Sequence, residues 1–376
     1  MPPFFVLREK GIVLLLDHMY NNTKPFLRVC KKVRVVIVGS TGYGGVELIR
    51  LCERHPRLEL GALVSTSAAE EPLSSVYPHL SHLQMTFSEL SIDHIVASGD
   101  VVFFATPAGV SSEWIPQLVE RGMVCIDLSG DFRLTDPNEY EAWYGRKAAD
   151  VTYLEKAVYG LSEWHEAAIR EAAFIANPGC YPTAALLGLL PLLKRHFIDP
   201  QSVIIDAKSG VSGAGRSSNV SLSFTEVNEN FRPYKVGVHQ HIPEIERYCR
   251  QFADQELRVS FTPHLVPMSR GICCTMYGTL SSEITAEDIA ALYRAQYEEA
   301  PFVRLRSDGT WPQTKDVTGS NYCDIAFHVD ERTGRVIIVS VIDNLVKGAA
   351  GQAVQNLNIR MGWPQTLGLE GTPLYP

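Results

Sequence analysis

The chain has 376 residues, 45% of them hydrophobic and 20% charged, so it contains enough apolar material for the cores of two globular domains. Its 34 lysine and arginine residues are outnumbered by 42 acidic residues, and the net charge of −8 disfavours nucleic acid as a partner. No apolar run reaches the ~18 residues that a membrane-spanning helix needs, and eight cysteines are too few for a disulfide scaffold. We therefore expect a cytoplasmic protein with reduced thiols and no membrane partner.

Residues 1–32 precede the regular part of the sequence. A short apolar run follows Arg8 and Lys10, but it ends at Asp17 and no small-residue cleavage site follows it, which disfavours a signal peptide. We interpret these residues as an N-terminal extension. The alternative is an upstream start codon, with initiation at Met19.

The first half of the chain alternates between strands and helices. Strands are predicted at Val33–Val38, 58–64, 101–105, 123–128 and 174–176, and helices at 46–53 and 111–121. The first strand is an almost continuous apolar run, as expected for a parallel sheet covered on both faces by crossover helices. This pattern predicts an α/β fold with a Rossmann-type doubly wound parallel sheet.

Strands dominate after residue 176. Helices are predicted from Cys180 to about His196 and at 286–299, and strands near 203–207, 257–265, 272–280, 325–329 and 336–341. This order predicts an α+β domain with a mainly antiparallel sheet. A last helix at 347–359 carries small residues suited to close packing, and we expect it to return to the first domain. The predicted domains are a dinucleotide-binding domain of residues 33–176 and 344–376 and an inserted domain of residues 177–343.

A glycine-rich turn separates the first strand from its helix. Gly39, Gly42 and Gly45 form a G-x-x-G-x-x-G pattern, a variant of the dinucleotide-binding fingerprint. Glycines let the backbone approach a pyrophosphate, whose charge is stabilised by N–H groups at the helix N-terminus. The alternative is an ordinary strand-to-helix turn. We predict that a dinucleotide contacts the whole turn, namely Gly39, Ser40, Thr41, Gly42, Tyr43, Gly44 and Gly45.

The end of the second strand indicates which dinucleotide binds. An acidic residue at this point usually binds the ribose 2′-hydroxyl of NAD, whereas this chain has Ser65, Thr66 and Ser67, with no carboxylate until Glu70. Hydroxyl groups hydrogen-bond a 2′-phosphate that a carboxylate would repel. The sequence therefore favours NADP(H), although no obvious arginine follows the hydroxyls, and a plain polar loop is the alternative.

One cysteine has a position that suggests chemistry. Pro178 and Gly179 end a strand and Cys180 begins the next predicted helix, where the helix dipole and unpaired N–H groups lower a thiol pKa and stabilise an oxyanion. We predict that Cys180 is a nucleophile. Most cysteines are instead small buried hydrophobes. We assign that role to Cys125, Cys273, Cys274 and Cys323.

The segment Val238–Glu246 supplies candidate acid/base groups. It contains His239 and His241, and Glu244 follows three residues after His241, where its carboxylate could orient the ring. The H-x-H spacing also occurs in metal sites, but no third ligand follows at a suitable spacing. We therefore expect a Cys–His pair and no metal, with both histidines as candidates.

Two further segments are suited to anions. Asp127–Arg133 ends a strand in a polar loop with one arginine, and Ser209–Arg216 is a glycine- and serine-rich loop that ends in another. Backbone N–H groups, hydroxyls and a guanidinium together bind phosphate or carboxylate groups. Taken alone, each segment is equally well explained as a flexible surface loop.

Six segments occur in a recognisable order. They are Val38-Gly-Ser-Thr-Gly-Tyr-Gly-Gly45, Leu128-Ser-Gly-Asp-Phe-Arg133, Asn177-Pro-Gly-Cys-Tyr-Pro-Thr183, Ser209-Gly-Val-Ser-Gly-Ala-Gly-Arg216, His239-Gln-His-Ile-Pro-Glu-Ile-Glu246 and Asp343-Asn-Leu-Val-Lys-Gly-Ala-Ala-Gly-Gln352. Together they resemble the N-acetyl-gamma-glutamyl-phosphate reductase family, from about residue 33 to the C-terminus. The resemblance implies NADPH-dependent reduction of N-acetyl-L-glutamyl 5-phosphate to N-acetyl-L-glutamate 5-semialdehyde, with release of phosphate, in arginine biosynthesis. It also implies a homodimer or homotetramer assembled through the inserted, catalytic domain.

The resemblance assigns roles to individual residues. Cys180 would displace phosphate to form a thioester, which hydride converts to a hemithioacetal that releases the aldehyde. His241 would be the acid/base, with His239 as the substitute. The implied substrate-binding residues are Arg133, Asn177, Ser209, Arg216 and Glu244, and the further cofactor-binding residues are Thr106, Pro107 and Asn344.

Three other functions stay open. Aspartate-semialdehyde dehydrogenase shares the acyl-phosphate and cysteine chemistry, but the sequence around Cys180 and His241 resembles it less well. A reductase of a carrier-bound or longer acyl phosphate, such as an aminoadipyl phosphate, resembles this family more closely. A non-catalytic NADP-binding sensor is the third, and it is disfavoured because a sensor needs neither Cys180 nor the two histidines.

Overall fold

A computed structural model describes residues 32–281, 284–306 and 309–375. The first half of the chain forms a seven-stranded sheet of β1 (Val33–Val38), β2 (Leu58–Val64), β3 (Phe87–Ser88), β4 (Val101–Phe104), β5 (Val124–Asp127), β6 (Val158–Tyr159) and β7 (Phe174–Ala176). Its strand order is β3-β2-β1-β4-β5-β7-β6, and each neighbouring pair is parallel. The predicted Rossmann-type sheet is confirmed.

Helices cover both faces of this sheet. They are α1 (Tyr43–Arg54), α2 (Leu73–Val76), α3 (Ile92–Ser98), α4 (Ser111–Glu120), α5 (Pro137–Tyr144), α6 (Val151–Lys156) and α7 (Ser162–Glu171). Because successive side chains of a strand point to opposite faces, Val35 and Ile37 pack in one hydrophobic cluster with α1, whereas Val36 packs in another with α4. Burial on both faces explains the unbroken apolar sequence of β1.

The chain turns sharply after β1. Gly39 has φ +83°, and a Cβ atom at this position would lie 2.5 Å from the carbonyl oxygen of Ala105. Only glycine fits a left-handed backbone conformation so close to another chain segment. The turn therefore brings the start of α1 next to the end of β4.

The second half forms a seven-stranded sheet with five helices. The strands are β8 (Ile204–Gly210), β9 (Arg232–Pro233), β10 (Ser260–Val266), β11 (Ile272–Thr279), β12 (Val303–Leu305), β13 (Cys323–Asp330) and β14 (Arg335–Ile342), in the order β12-β13-β14-β11-β8-β10-β9. The β12–β13 and β8–β10 pairs are parallel and the other pairs antiparallel. The sheet is mixed, with the mainly antiparallel pairing that the sequence predicts.

A long apolar helix forms the centre of this half. The helices are α8 (Cys180–Lys194), α9 (Phe224–Val227), α10 (His241–Ala253), α11 (Ala286–Tyr297) and α12 (Gly351–Arg360), with a π-helical turn at Val346–Ala350. Helix α8 is buried on all sides and contacts β11, β14, α10 and α11. A helix that is apolar all round belongs in a core, so the position of its first residue, Cys180, is set by extensive packing.

The C-terminal segment packs on the first sheet. Ala353, Val354 and Leu357 of α12 lie in the same hydrophobic cluster as Val35 and Ile37 of β1. The predicted N-terminal extension, including Cys30, lies outside the described residues except for Lys32. In the part of the chain that the structure describes, no helix has the length and apolarity to cross a membrane.

Candidate active site

A cavity of about 1440 Å³ is lined by residues from both halves of the chain, and it exceeds the ~300–1,000 Å³ of typical small-ligand pockets. Its lining includes the glycine turn after β1, Ser65 at the end of β2, Cys180 and both histidines of the H-x-H segment. The fold thus brings the dispersed sequence motifs to one cavity.

The cavity is electropositive although the chain carries a negative net charge. Its basic side chains are Arg133, Arg216, Arg232 and Lys235, and none of the described residues that line it is Asp or Glu. Clefts lined by charges of one sign attract ligands of the opposite sign. The cavity is therefore suited to an anionic ligand.

Most of the predicted cofactor-binding residues line this cavity. They are Gly39, Thr41, Gly42, Tyr43, Gly44, Ser65, Thr66, Ser67, Thr106, Pro107 and Asn344. Two of the predicted residues, Ser40 and Gly45, do not line it. Ser40 is fully buried and its hydroxyl donates to the carbonyl of Val64 at 2.9 Å, so its side chain holds the turn against β2.

Hydroxyl groups cluster beside the turn. Thr41 Oγ1 lies 3.2 Å from Ser65 Oγ and 3.4 Å from Ser67 Oγ, and the two serine hydroxyls are 3.2 Å apart. Arg216, which we expected among the substrate-binding residues, lies beside this cluster, because its Nη1 donates to the carbonyl oxygen of Thr41 at 3.2 Å. Arg216 therefore lies beside the glycine turn.

Cys180 is the first residue of α8 and is partly exposed in the cavity. The π-helical turn lies directly against it, since a Cβ atom added to Gly348 would be 2.8 Å from Cys180 Cβ. The expectation of a lowered thiol pKa is wrong. Burial raises the pKa of Cys180 to about 11, although the charge of Arg133 and the N–H of Tyr181 act in the opposite direction.

This raised pKa predicts how the thiol reacts with alkylating agents. Without a substrate positioned for proton transfer to an imidazole, only the thiolate reacts, so the rate of Cys180 alkylation by iodoacetamide should rise about tenfold per pH unit between pH 7 and 9, below a pKa of about 11. Mass spectrometry of the modified peptide measures this rate, with Cys180→Ala as the control. A rate that levels off near pH 7 would contradict the raised pKa.

The two histidines are buried beside the start of α8. A Cβ atom added to Gly179, the residue before Cys180, would lie 2.5 Å from His241 Nε2, so this ring packs against the backbone that leads into Cys180. His239 Nδ1 accepts a hydrogen bond from the His241 backbone N–H at 3.1 Å. Burial lowers the pKa of His239 to about 3 and that of His241 well below its ordinary value. Both rings are therefore neutral at physiological pH and available as proton acceptors.

Glu244 has a different place from the one expected. Its Oε1 accepts hydrogen bonds from the Gly179 N–H at 2.8 Å and the Tyr159 hydroxyl at 2.9 Å, and its Oε2 lies 3.4 Å from Arg133 Nη1. Glu244 is fully buried, does not line the cavity and makes no hydrogen bond to His241 among the described residues. The structure thus gives Glu244 partners other than the histidine and the cavity. Glu244 fixes the turn before Cys180.

The remaining predicted substrate-binding residues line the cavity but also hold its wall. Arg133 Nε donates to the Asn177 carbonyl at 2.8 Å, and Asn177 Nδ2 donates to the Ala349 carbonyl at 3.2 Å. The Ser209 hydroxyl donates to the Gly210 carbonyl at 2.9 Å. Their side chains thus have fixed positions before any ligand binds.

Asn344 connects two loops of the cavity wall. Its Oδ1 accepts from the Gly271 N–H at 2.8 Å and its Nδ2 donates to the Ser212 hydroxyl at 3.0 Å. Lys347, three residues later, is fully buried and pairs with Glu163 at 2.6 Å, away from the cavity lining. Of these two residues, Asn344 alone lines the cavity.

Sequence reasoning missed several polar residues of the cavity. Arg232, Tyr234 and Lys235 lie on or beside the two-residue strand β9, where the sequence has no periodicity or motif. Gln240 lies between the two histidines of the H-x-H segment, but its amide has no acid or base chemistry that would mark it as a candidate. Across the described ranges, no group of three or more His, Cys, Asp or Glu side chains is arranged to hold a metal ion.

Comparison with known proteins identifies the family. Two family models match: the semialdehyde dehydrogenase NAD binding domain over residues 34–172 and the semialdehyde dehydrogenase dimerisation domain over residues 180–344. The N-acetyl-gamma-glutamyl-phosphate reductase of Geobacillus kaustophilus is 52% identical over 345 residues, covering 92% of this chain and 100% of the relative. The chain belongs to the N-acetyl-gamma-glutamyl-phosphate reductase family. The reductase of Bacillus cereus is 50% identical over 344 residues, covering 91% of this chain and 100% of that relative. The members of this family are oxidoreductases.

Solved structures show the same fold at low identity. Aspartate semialdehyde dehydrogenase II from Vibrio cholerae is 19% identical with a TM-score of 0.67, covering 88% of this chain and 99% of that chain. Aspartate semialdehyde dehydrogenase with NADP from Candida albicans is 17% identical with a TM-score of 0.65, covering 88% of this chain and 98% of that chain. The reductase family and these dehydrogenases therefore share one architecture.

Proposed function

We propose that this reductase converts N-acetyl-L-glutamyl 5-phosphate to N-acetyl-L-glutamate 5-semialdehyde and phosphate, using NADPH and a thioester on Cys180, in arginine biosynthesis. The observation that carries the proposal is that Cys180, at the start of α8, lines the same electropositive cavity as the glycine turn and both histidines. Relatives about 50% identical carry the name of this reductase. All cysteines among the described residues are free thiols, which supports a cytoplasmic location.

The residues around the glycine turn fit NADPH. Gly42, Tyr43 and Gly44, at the N-terminus of α1, line the cavity, and a helix N-terminus is a favourable site for a pyrophosphate. The hydroxyls of Thr41, Ser65 and Ser67 suit a 2′-phosphate. When bound, NADPH supplies the hydride that reduces the acyl group.

Cys180 and a histidine provide the acyl chemistry. Cys180 Sγ attacks the acyl carbon, the C–S bond forms, the C–O bond to phosphate breaks, and the thiol proton passes to a neutral imidazole. We assign this proton to His241, which packs beside Gly179, and keep His239 as the substitute. Because the proton leaves as the C–S bond forms, a raised thiol pKa does not prevent the reaction. After reduction, the C–S bond breaks and the aldehyde is released.

Two other acyl phosphates remain alternatives. The structural likeness to aspartate semialdehyde dehydrogenases rests on 16–19% identity and supports the fold, whereas the relatives of about 50% identity favour the N-acetyl-glutamyl substrate. A carrier-bound or longer acyl phosphate needs the same cavity chemistry. A non-catalytic NADP-binding sensor is the third alternative. It is disfavoured because such a sensor would need neither Cys180 nor the histidines.

A substrate panel tests the proposal. In the oxidising direction, with NADP and phosphate, we expect turnover of N-acetyl-glutamate semialdehyde at least tenfold faster than that of aspartate semialdehyde or N-acetyl-aminoadipate semialdehyde. Faster turnover of either competitor would reassign the substrate. Absence of turnover across the panel would favour the sensor.

We also propose a homo-oligomer, in the simplest case a dimer formed through the second sheet. One face of this sheet packs on α8, whereas the other leaves Thr275 and Tyr277 half-buried and Ile204 39% exposed. The matching family model is described as a dimerisation domain.

Sedimentation tests this proposal. We expect the wild type to sediment as an oligomer and Thr275→Arg to shift it toward monomer. The control Glu331→Arg, in an exposed turn, should leave it unchanged, and a monomeric wild type would contradict the proposal.

A further inference from the structure

Arg216 connects the two halves of the chain at the glycine turn. It ends the loop that follows β8, yet its Nη1 donates to the Thr41 carbonyl of the first half at 3.2 Å. Its guanidinium carbon lies 4.8 Å from the ring centre of Tyr77, and the Tyr77 hydroxyl donates to the same Thr41 carbonyl at 2.8 Å. Stacking on an aromatic face and one hydrogen bond hold the guanidinium beside the turn.

The guanidinium lies next to a cluster of hydroxyls. Thr41, Ser65 and Ser67 place their side-chain oxygens within 3.4 Å of one another, at the end of β2, where the ribose of a dinucleotide lies in doubly wound sheets. Three hydroxyls together with an arginine form a strong site for a phosphate group, because a guanidinium donates two parallel hydrogen bonds to phosphate oxygens.

The surroundings favour an anion at this point. Among the described residues, no carboxylate forms an ion pair with Arg216, and none of those lining the cavity is acidic. The acidic residue that would bind a ribose 2′-hydroxyl in an NAD site is replaced by Ser65. The sequence offered no obvious arginine after β2, and the fold supplies one from the other half of the chain.

We propose that Arg216, together with Thr41, Ser65 and Ser67, binds the 2′-phosphate of NADPH and sets the preference for NADPH over NADH. The inference rests on the proposed use of NADPH. It also links coenzyme binding to the second half of the chain, because Ser209 near the end of β8 and Ser212 in the loop that ends in Arg216 line the same cavity as Cys180. A phosphate held by both halves would draw this loop onto the coenzyme.

Two adenosine fragments test the proposal by calorimetry on the full-length protein. The wild type should bind 2′,5′-ADP at least tenfold more tightly than ADP. Arg216→Ala should weaken 2′,5′-ADP binding at least tenfold and change ADP binding less than twofold. Arg216→Lys should retain part of the preference for 2′,5′-ADP over ADP, because an ammonium group keeps the positive charge but lacks the paired N–H donors of a guanidinium. The control is Arg57→Ala, because Arg57 is also stacked on an aromatic ring, 5.4 Å from the centre of Trp363, but does not line the cavity.

Steady-state kinetics separate this role from substrate binding. Arg216→Ala should raise the KM for NADPH at least tenfold, with the KM for the acyl phosphate within twofold. A raised KM for the acyl phosphate alone would return Arg216 to the substrate and overturn the inference. If Arg216→Ala keeps the wild-type preference for 2′,5′-ADP, the inference fails while NADPH use survives. If the wild type shows no preference, the proposed use of NADPH fails with it.

Discussion

Replacing Cys180 with alanine should reduce turnover of N-acetyl-glutamate semialdehyde by about 10⁴-fold or more, with NADPH binding unchanged. Cys180 is the only described cysteine that lines the cavity, so no neighbouring thiol can form the thioester in its place. Cys180→Ser should be nearly as inactive, because a serine hydroxyl is a much weaker nucleophile without a strong base, and burial lowers the pKa of both neighbouring histidines.

Stopped-flow and steady-state assays measure this loss, and NADPH fluorescence titration measures coenzyme binding. Cys125→Ala is the matched control, since Cys125 is a fully buried thiol of β5 that does not line the cavity, and its activity should stay within twofold of wild type. Cys180→Ala turning over at more than a few per cent of the wild-type rate would rule out the thioester. Loss of NADPH binding would instead point to a disturbed fold.

The fold was predictable wherever local pattern and burial agree. Strand β1 is buried on both faces, so its sequence is an apolar run that predicts a strand. Helix α8 is buried on all sides, so its sequence is also apolar throughout. Strands β3, β6 and β9 have two residues each, which is too short for any periodicity. Helix α10 was not predicted at all. Pro243 is compatible with it because this residue occupies the first turn, in which no intrahelical N–H bond is lost.

The site was predictable only where one segment determines the geometry. Gly39 and Cys180 each lie at a strand-to-helix junction, and both line the cavity. The pKa of Cys180, the partners of Glu244 and the location of Arg216 depend on contacts with distant parts of the chain. Glu244 and Arg133 are 111 residues apart, and Arg216 and Thr41 are 175 residues apart. Sequence spacing carries no information about such contacts.

Glu244→Ala should lower the free energy of unfolding by about 3–5 kcal/mol, because removing one partner of a buried ion pair leaves the other charge uncompensated. Glu244 and Arg133 are both buried, with side chains 0% and 6% exposed. Alanine would also leave the Gly179 N–H and the Tyr159 hydroxyl without their acceptor. Because Gly179 immediately precedes Cys180, turnover should fall together with stability.

Urea unfolding followed by fluorescence measures this effect, and two variants refine it. Glu244→Gln keeps an oxygen acceptor for Gly179 and Tyr159 but loses the charge, so its stability should fall between those of wild type and Glu244→Ala. Glu246→Ala is the matched control on the same helix: Glu246 accepts from the Val259 N–H at 3.0 Å and lies 3.5 Å from Arg250, contacts that contribute about 1–2 kcal/mol. An unfolding midpoint for Glu244→Ala equal to that of Glu246→Ala would show that the network around Glu244 does not stabilise the turn before Cys180. A larger loss of stability at Glu244, accompanied by lower turnover of the folded variant, would show that a carboxylate outside the cavity holds the nucleophile in place.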